Sequence, residues 1–424
     1  MWTSAHTSQA LAVFDTAARG QSRLAVAVRL SMLALCGVAL GPSAARAVPC
    51  SDVPNAVYVA VPPSAEQYVE KIAQKLQLDD AKPLPIIWQT TTSCRAVEAV
   101  ARDSTPGVCA PGACLTGKAK VWPLDRTPVK TCDLAATGTH IDLALSDVFP
   151  SSCPAFAVTP ATGIVDVLGP VSPYALVMNP AATEGAMQAE EAHFVFGAGQ
   201  AAGVKPWLND NAVYWLGDRD AGALLLSARS KLPIGRFRTG KVVATPDDVF
   251  AGLQTDAAAA LGILPTVLTD PRRSEVRVLG FQAIGQHGAF FPDRKSTTFE
   301  KQNVRDGHYA LWGYLHMIMR ADPGDPKRPQ SASAARVADI LTGRVQVAMQ
   351  DTLPMQVTQG FVPQCAMRVG RTSDSAALTP MAPTESCHCW FEKNVKNGLL
   401  SCGECKDGVT CAIGKCRRNL CEVD

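Results

Sequence analysis

Cysteine content constrains this chain more than any other feature of its sequence. The 424 residues include 15 cysteines, and all except Cys36 fall into an even group of six and an even group of eight. Even numbers of cysteines outside the cytosol are typical of disulfide-bonded proteins. We therefore expect disulfides among Cys50, Cys94, Cys109, Cys114, Cys132, Cys153, Cys365, Cys387, Cys389, Cys402, Cys405, Cys411, Cys416 and Cys421.

The first 47 residues predict export. Arg19, Arg23 and Arg29 precede an apolar run, and Ala45-Arg46-Ala47 follows it as a cleavage site with small residues in the required positions. The run itself, 30–40, is shorter than the roughly 20 residues of a membrane-spanning helix. A cleaved signal peptide is therefore favoured over the alternative, a membrane anchor. The protein is then periplasmic or extracellular, although a later translation start remains open.

Composition excludes two broad classes of protein. Hydrophobic residues make up 47% of the chain and charged residues 18%, which is typical of globular domains with a sizeable core rather than of disordered chains. The net charge of +2 gives no electrostatic footprint for nucleic acid.

Strand-like and helix-like segments alternate along the chain. The segments 57–61, 85–88, 140–146, 165–178, 213–216 and 276–281 predict strands, and 64–77, 94–102, 185–197, 221–232, 246–261 and 334–342 predict helices. This alternation is typical of an α/β fold with a parallel or mixed sheet.

The last 38 residues predict a separate small module. Residues 387–424 contain seven cysteines with Cys-x-x-Cys spacing, which is compatible either with zinc or with disulfides. Disulfides are favoured because so short a segment needs covalent bonds to be stable outside the cytosol. Cys365 is the natural partner for the odd cysteine, and that bond would tie the module to the body. The Ser/Thr/Pro-rich segment 371–386 predicts a linker, and a membrane or envelope protein is the expected partner of the module.

Polar residues cluster in the segment from Asn303 to His308, which also contains Arg305 and Asp306. We interpret this segment as a salt-bridged turn before a strand, with a ligand site at a cleft edge as the alternative.

Six segments occur in an order that resembles a known superfamily. They are Val61-Pro-Pro-Ser64-Ala65, Ala144-Leu-Ser146-Asp147, the run from Gly169 to Asn179-Pro180, the segment from Glu191 to Gly197 with Trp207 beyond it, Arg219-Asp220-Ala221-Gly222-Ala223, and the segment from Gly307 to His316. Their order over about residues 55–345 is similar to that of type II periplasmic solute-binding proteins, and within them of the phosphate-binding proteins of ABC importers.

The resemblance implies a two-lobed periplasmic-binding-protein fold. The first lobe would hold residues 48–168 and 312–370, and the second lobe residues 169–311. The two lobes would close like a hinge around a small anion such as phosphate. The ligand-binding residues that it implies are Ser64, Ser146, Asp147, Arg219, Asp220 and Gly222. It implies no catalytic residue, no cofactor and no metal.

Such a site has a simple physical basis. Helix N-termini and short hydroxyl side chains donate hydrogen bonds to an anion, and a bidentate arginine adds charge. An aspartate accepts a hydrogen bond from a protonated phosphate oxygen.

This chain departs from the family pattern at several of these positions. Ala221 and Ala223 replace a serine and a threonine, and Pro62 and Pro63 each remove a backbone N–H. Each lost hydrogen bond to a charged group costs about 1.5–3 kcal/mol. Tight phosphate binding is therefore expected to be altered or lost. The alternative function is that of a structural or interaction protein without a ligand, which docks through its Cys-rich module.

An enzyme is not expected. The sequence contains no Gly-x-Ser-x-Gly elbow, no His-Glu-x-x-His segment and no phosphate-binding loop of the Gly-x-x-x-x-Gly-Lys type.

Overall fold

The structure is a computed structural model. It describes residues 48–78, 83–102, 114–122, 128–157, 159–217, 219–232, 240–255, 259–345, 351–398, 402–406 and 411–423. The predicted signal peptide, with Cys36, lies outside the described residues, as does Cys109.

Buried apolar strands build one large mixed sheet. Among the described residues it has 13 strands in the order β1-β5-β4-β3-β2-β6-β14-β7-β11-β9-β10, with β12 beside β7 and β15 beside β14. The strands are β1 (Val48–Pro49), β2 (Val57–Val61), β3 (Ile86–Thr90), β4 (Lys118–Val121), β5 (Lys130–Asp133), β6 (Leu143–Ser146), β7 (Ile164–Met178), β8 (Ala186–Gln188), β9 (Val213–Trp215), β10 (Lys241–Val242), β11 (Leu261–Pro265), β12 (Arg277–Val278), β13 (Gly280–Gln282), β14 (Trp312–Asp322), β15 (Asp325–Pro329), β16 (Val369–Gly370), β17 (Thr379–Pro380), β18 (Lys415–Arg417) and β19 (Leu420–Glu422).

Helices cover both faces of this sheet. They are α1 (Glu66–Leu78), α2 (Ser93–Ala101), α3 (Ala189–Gly197), α4 (Ala221–Ser230), α5 (Pro246–Thr255), α6 (Thr266–Thr269), α7 (Gln302–Arg305), α8 (Ala332–Thr342), α9 (Leu353–Thr358) and α10 (His388–Asn394). The expected α/β fold with a mixed sheet is thus confirmed. No helix within the described segments combines the length and the apolar character that crossing a bilayer requires.

The long strand β7 joins two groups of strands. Its first part, 164–173, pairs with β14, and its last part, 174–178, pairs with β11. We call β1–β6 with β14 and β15 the first strand group, and β9–β12 the second strand group. The proposed lobe boundary at 168/169 falls within β7, and the division into lobes remains a proposal.

Alternate residues of the strands face different helices, as the period of two in a strand requires. In β2, Val57 and Val59 pack in the cluster that contains α1 and α8, whereas Ala60 packs with α2. In β7, Val177 packs with α5 and Leu176 packs in the cluster that contains α3 and α4.

Three sequence-based element assignments need correction. The segment 185–197 is not one helix, because strand β8 precedes α3. The predicted helix 246–261 ends at Thr255, and Leu261 begins β11, which lies between β7 and β9 and is buried along its whole length. The segment 322–333 is Pro-rich and polar and therefore predicts a surface loop, but it contains β15, which pairs with β14. In each case sheet pairing overrides local composition.

Disulfides connect both cysteine groups. In the body, Cys50 bonds to Cys132 and Cys94 to Cys153, and Cys114 is also disulfide-bonded. In the C-terminal module the bonded pairs are Cys389–Cys402, Cys405–Cys416 and Cys411–Cys421. The prediction of a disulfide-rich module is confirmed.

Three sulfur atoms of the module, on Cys405, Cys411 and Cys421, lie within 4.8 Å of one another. They belong to two neighbouring disulfides, and a sulfur in a disulfide is not the thiolate that zinc binds. The close approach of these three sulfur atoms is therefore explained by two adjacent disulfides, Cys405–Cys416 and Cys411–Cys421.

The Cys-rich module is fixed to the body. Cys365 bonds to Cys387, the link that the odd number of cysteines in the tail predicts. Arg305 is fully buried, and its guanidinium lies 3.1 Å from Glu392 of the module and donates a 3.0 Å hydrogen bond to the carbonyl of Ala366. The Arg305 turn is therefore part of the module's docking surface.

The segment 371–386 connects the module but is not a free linker. The guanidinium of Arg371 lies 4.0 Å from the ring centroid of Trp312. Asp374 is fully buried and accepts hydrogen bonds from the Phe149 amide and the Ser152 hydroxyl, at 2.9 and 2.6 Å. The Ser/Pro-rich composition does not reveal these two anchors.

Candidate functional site

A buried polar cluster lies where the N-termini of α1, α2 and α4 meet the end of β6. Asp147, just after β6, is fully buried. Its Oδ2 accepts hydrogen bonds from the hydroxyl of Ser64, at the start of α1, and from the hydroxyl of Tyr174 on β7, the latter at 2.7 Å. The amide of Asp147 donates to the hydroxyl of Ser93, the first residue of α2, at 3.1 Å. We call these residues, together with Ser172 and Asp220, the aspartate cluster.

A close backbone approach helps to place Asp147. A Cβ atom on Gly313 of β14 would lie 1.7 Å from the carbonyl oxygen of Asp147. Only glycine fits at this position, because any side chain would collide with backbone rather than with a movable group.

Asp220 adds a second carboxyl group from the second half of the chain. It is the N-cap residue of α4, and its Oδ2 accepts a hydrogen bond from the Gly222 amide at 2.8 Å. Burial raises the pKa of Asp220 to about 7, with a further contribution from the negative charge of Asp147. Burial also raises the pKa of Asp147, although the hydroxyls of Ser64 and Tyr174 partly offset this shift.

The positive charge nearest to these carboxyl groups in the described residues is that of His316, which lowers the pKa of Asp147. Within the described part of the chain, no lysine or arginine forms an ion pair with Asp147 or Asp220. Buried charges without such a partner are costly, so the protonated forms are favoured.

Among the described residues, two buried polar atoms of the cluster make no hydrogen bond of ordinary geometry. They are Oδ1 of Asp147 and the hydroxyl of Ser172, two residues before Tyr174 on β7. The Ser172 hydroxyl nevertheless lies close enough to Asp147 to lower the pKa of that carboxyl group. The hydroxyl of Thr266 is also unpaired, and it follows Pro265, the residue opposite Tyr174 in the pairing of β11 with β7. Unpaired buried polar groups cost free energy and are rare, so such a concentration indicates a position for a polar ligand or for water.

Two residues that the sequence placed in the site do not join the cluster through their side chains. The hydroxyl of Ser146 donates to the Val148 carbonyl at 2.8 Å, within its own loop. The guanidinium of Arg219 lies 3.3 Å from Glu98 of α2, and this side chain is 53% exposed. The Ser146 hydroxyl is engaged by a hydrogen bond within its own loop, and the Arg219 guanidinium is engaged by the Glu98 carboxylate. These are the two groups that were expected to face the ligand.

The cluster also contains residues that sequence reasoning missed. Ser93, Ser172, Tyr174 and Thr266 belong to it or border it. Ser93 carries a recognisable signal, since it begins a helix directly after a strand. Ser172 and Tyr174, both on β7, carry no such signal. The face of β7 that meets the cluster is set by the register of this strand with β14 and β11.

A cleft of about 660 Å³ opens between the two strand groups. Its walls carry charged side chains in pairs: Lys120 lies 2.5 Å from Glu66, and Arg272 lies 2.6 Å from Asp247. The lining comprises Pro63, Glu66, Gln67, Trp88, Gln89, Thr90, Lys118, Ala119 and Lys120 on one side and Ala244, Thr245, Pro246, Asp247, Phe250, Val267, Leu268, Pro271 and Arg272 on the other. Pro63 directly precedes Ser64, so the cleft wall continues in sequence into the aspartate cluster.

Comparison with known proteins gives structural likeness without sequence similarity. No family model matches this chain, and no curated protein matches it. An ABC-type phosphate transport receptor from Vibrio cholerae aligns at 11% identity and a TM-score of 0.46, over 72% of this chain and 99% of that one.

Two further solved structures align in a similar way. A phosphate ABC transporter substrate-binding protein with bound phosphate, from Clostridium perfringens, aligns at 11% identity and a TM-score of 0.47, over 73% of this chain and 99% of that one. The regulatory domain of CcmR from Synechocystis, in complex with 2-PG, aligns at 10% identity and a TM-score of 0.37, over 69% and 97%. With every one of these TM-scores below 0.5, function has to be argued from the residues of this chain.

Proposed function

We propose that this chain is an exported solute-binding protein that holds a small, phosphate-like anion at the aspartate cluster, between the two strand groups. The observation that carries the proposal is a pair of buried polar atoms, Asp147 Oδ1 and the Ser172 hydroxyl, that make no hydrogen bond of ordinary geometry within the described residues, at a point where three helix N-termini meet. Helix N-termini favour negative charge, and hydroxyl groups donate hydrogen bonds to it. The disulfides of the body and the module support an oxidising compartment.

The two carboxyl groups restrict the protonation state of the complex. A fully ionised anion next to ionised Asp147 and Asp220 would be repelled, and no arginine of the described segments pairs with either carboxylate. The anion therefore binds when at least one proton is shared among the ligand and the two carboxyl groups. Because Asp220 has a pKa of about 7, this proton is available below neutral pH.

Anion affinity should rise as the pH falls through about 7. We expect phosphate and sulfate each to bind the full mature chain at least about tenfold more tightly at about pH 5.5 than at about pH 7.5. Sulfate does not titrate in this range, so its pH dependence reports on the protein alone. Isothermal titration calorimetry at both pH values measures the two affinities.

A pair of serine variants localises the site. Ser172→Ala should weaken anion binding about tenfold to a hundredfold, since a hydrogen bond to a charged group contributes about 1.5–3 kcal/mol. Ser146→Ala is the matched control, because its hydroxyl bonds within its own loop, and it should leave the affinity unchanged. Equal affinities of the two variants, or tighter binding at the higher pH, would contradict the proposal.

A second function is favoured by one specific observation. The Oδ2 atom of Asp147 already accepts hydrogen bonds from Ser64 and Tyr174, as a bound anion would. In that case the carboxylate replaces the ligand, and the chain is a structural or interaction protein that docks through its Cys-rich module to an envelope protein. Absence of anion binding at both pH values would favour this function.

A further inference from the structure

A second pocket lies where the two strand groups and the Cys-rich module meet. Its volume is about 400 Å³, within the range of small-molecule sites. It is lined by Gln67, Val267, Asp270, Pro271, Phe299 and Lys301, by the segment from Val357 to Phe361, and by Phe391, Asn394, Val395 and Lys396 of the module. The module therefore supplies one wall.

The walls of this junction pocket are largely apolar and aromatic. Phe299, Phe361 and Phe391 line it, and each is at least nine-tenths buried, at 8%, 1% and 1% exposure. Val357 and Val395 add aliphatic surface. Aromatic rings pack favourably against one another in offset or edge-to-face arrangements, so the pocket fits a flat ring.

The charges inside the pocket are neutralised by one another. Lys301 is buried, and its Nζ lies 2.6 Å from Asp270 and 2.9 Å from Asp293. Arg273 pairs with the same two carboxylates. Two cations thus face two anions, and this network does not select the charge of a ligand.

One cation at the pocket is not part of this network. Lys396 is exposed, and its Nζ lies 5.0 Å from the ring centroid of Phe299. Among the described residues no carboxylate lies within ion-pair distance of it. An ammonium group beside an aromatic wall is complementary to a ligand that carries a negative charge next to a ring.

We propose that the junction pocket binds a small aromatic carboxylate, with its ring among Phe299, Phe361 and Phe391 and its carboxylate at Lys396. This site is separate from the aspartate cluster and does not depend on the proposed anion function. It borders the cleft through Gln67, Val267 and Pro271, which line both cavities.

The test uses phenylacetate as the probe and the full mature chain with its disulfides intact. Phenylacetate should bind, whereas acetate should not compete, because the ring supplies most of the contact area. Phenylacetamide, which lacks the charge, should bind up to about fivefold more weakly than phenylacetate. Calorimetry or saturation-transfer NMR measures these affinities.

Two lysine variants on the same segment separate a site contact from a general charge effect. Lys396→Met should reduce phenylacetate affinity to that of phenylacetamide and leave phenylacetamide binding unchanged. Lys393→Met is the matched control, since Lys393 pairs with Glu404 and does not line the pocket. Sulfate affinity should be the same in both variants, which keeps this test distinct from that of the aspartate cluster. No phenylacetate binding, or equal losses in the two variants, would overturn the proposal.

Discussion

Replacing Arg305 by alanine should lower the free energy of unfolding by about 3–5 kcal/mol. Arg305 is fully buried between the body and the module, and the substitution removes its 3.1 Å ion pair with the buried Glu392. Removing one member of a buried ion pair is strongly destabilising because the remaining charge stays desolvated. The Ala366 carbonyl also loses a hydrogen bond. Urea denaturation with the disulfides intact measures the change.

Arg368 provides the matched control. It pairs with Asp306 at 2.6 Å in the same region, but its side chain is 47% exposed. Arg368→Ala should therefore cost at most about 1 kcal/mol. If the Arg305 variant does not fold, Glu392→Gln retains a hydrogen-bond acceptor and should show a smaller loss in the same direction. Equal effects of Arg305→Ala and Arg368→Ala would contradict the docking role of Arg305.

Replacing Asp220 by asparagine should stabilise the protein at alkaline pH by roughly 2–4 kcal/mol. The pKa of Asp220 is raised from 3.8 to about 7 in the folded chain. A carboxyl group with a raised folded pKa destabilises the fold once it ionises there, so its favourable contribution is complete below about pH 4 and is lost as the pH rises through about 7. Asparagine keeps an oxygen for the Gly222 amide and removes the charge.

The two proteins should therefore have similar stability at about pH 4 and diverge as the pH rises to about 8. Thermal unfolding at a series of pH values measures the difference. Asp325→Asn is the control, since Asp325 is exposed and also accepts a backbone hydrogen bond, from Lys327. A stability difference that does not change with pH would show that burial does not raise the pKa of Asp220 in the folded chain.

Much of the fold follows from local sequence signals. The apolar run of β2, the amphipathic pattern of α1 and the glycine that ends α8 all agree with the structure. The odd number of cysteines in the tail indicates that Cys365 bonds to one of them, and the structure shows that this one is Cys387. These features depend on residues that are close in sequence or on simple counting.

The rest depends on long-range pairing that one sequence does not reveal. Leu261 begins a strand after an alanine-rich segment because β7 and β9 flank it. Arg219 was expected to face a ligand, but Glu98 on a distant helix is its partner. Tyr174 enters the aspartate cluster through the register of a crossing strand. Of the expected site, Ser64, Asp147, Asp220 and Gly222 do lie together, and their binding role remains a proposal.

Crystals of the mature chain grown with selenate at about pH 5.5 would show directly where an anion binds. Anomalous scattering from selenium marks the position of the ion. Anion binding at the aspartate cluster places selenate within hydrogen-bonding distance of the Ser172 hydroxyl and Asp147. Selenate found only along the lysines of the open cleft, or absent at saturating concentration, would contradict it.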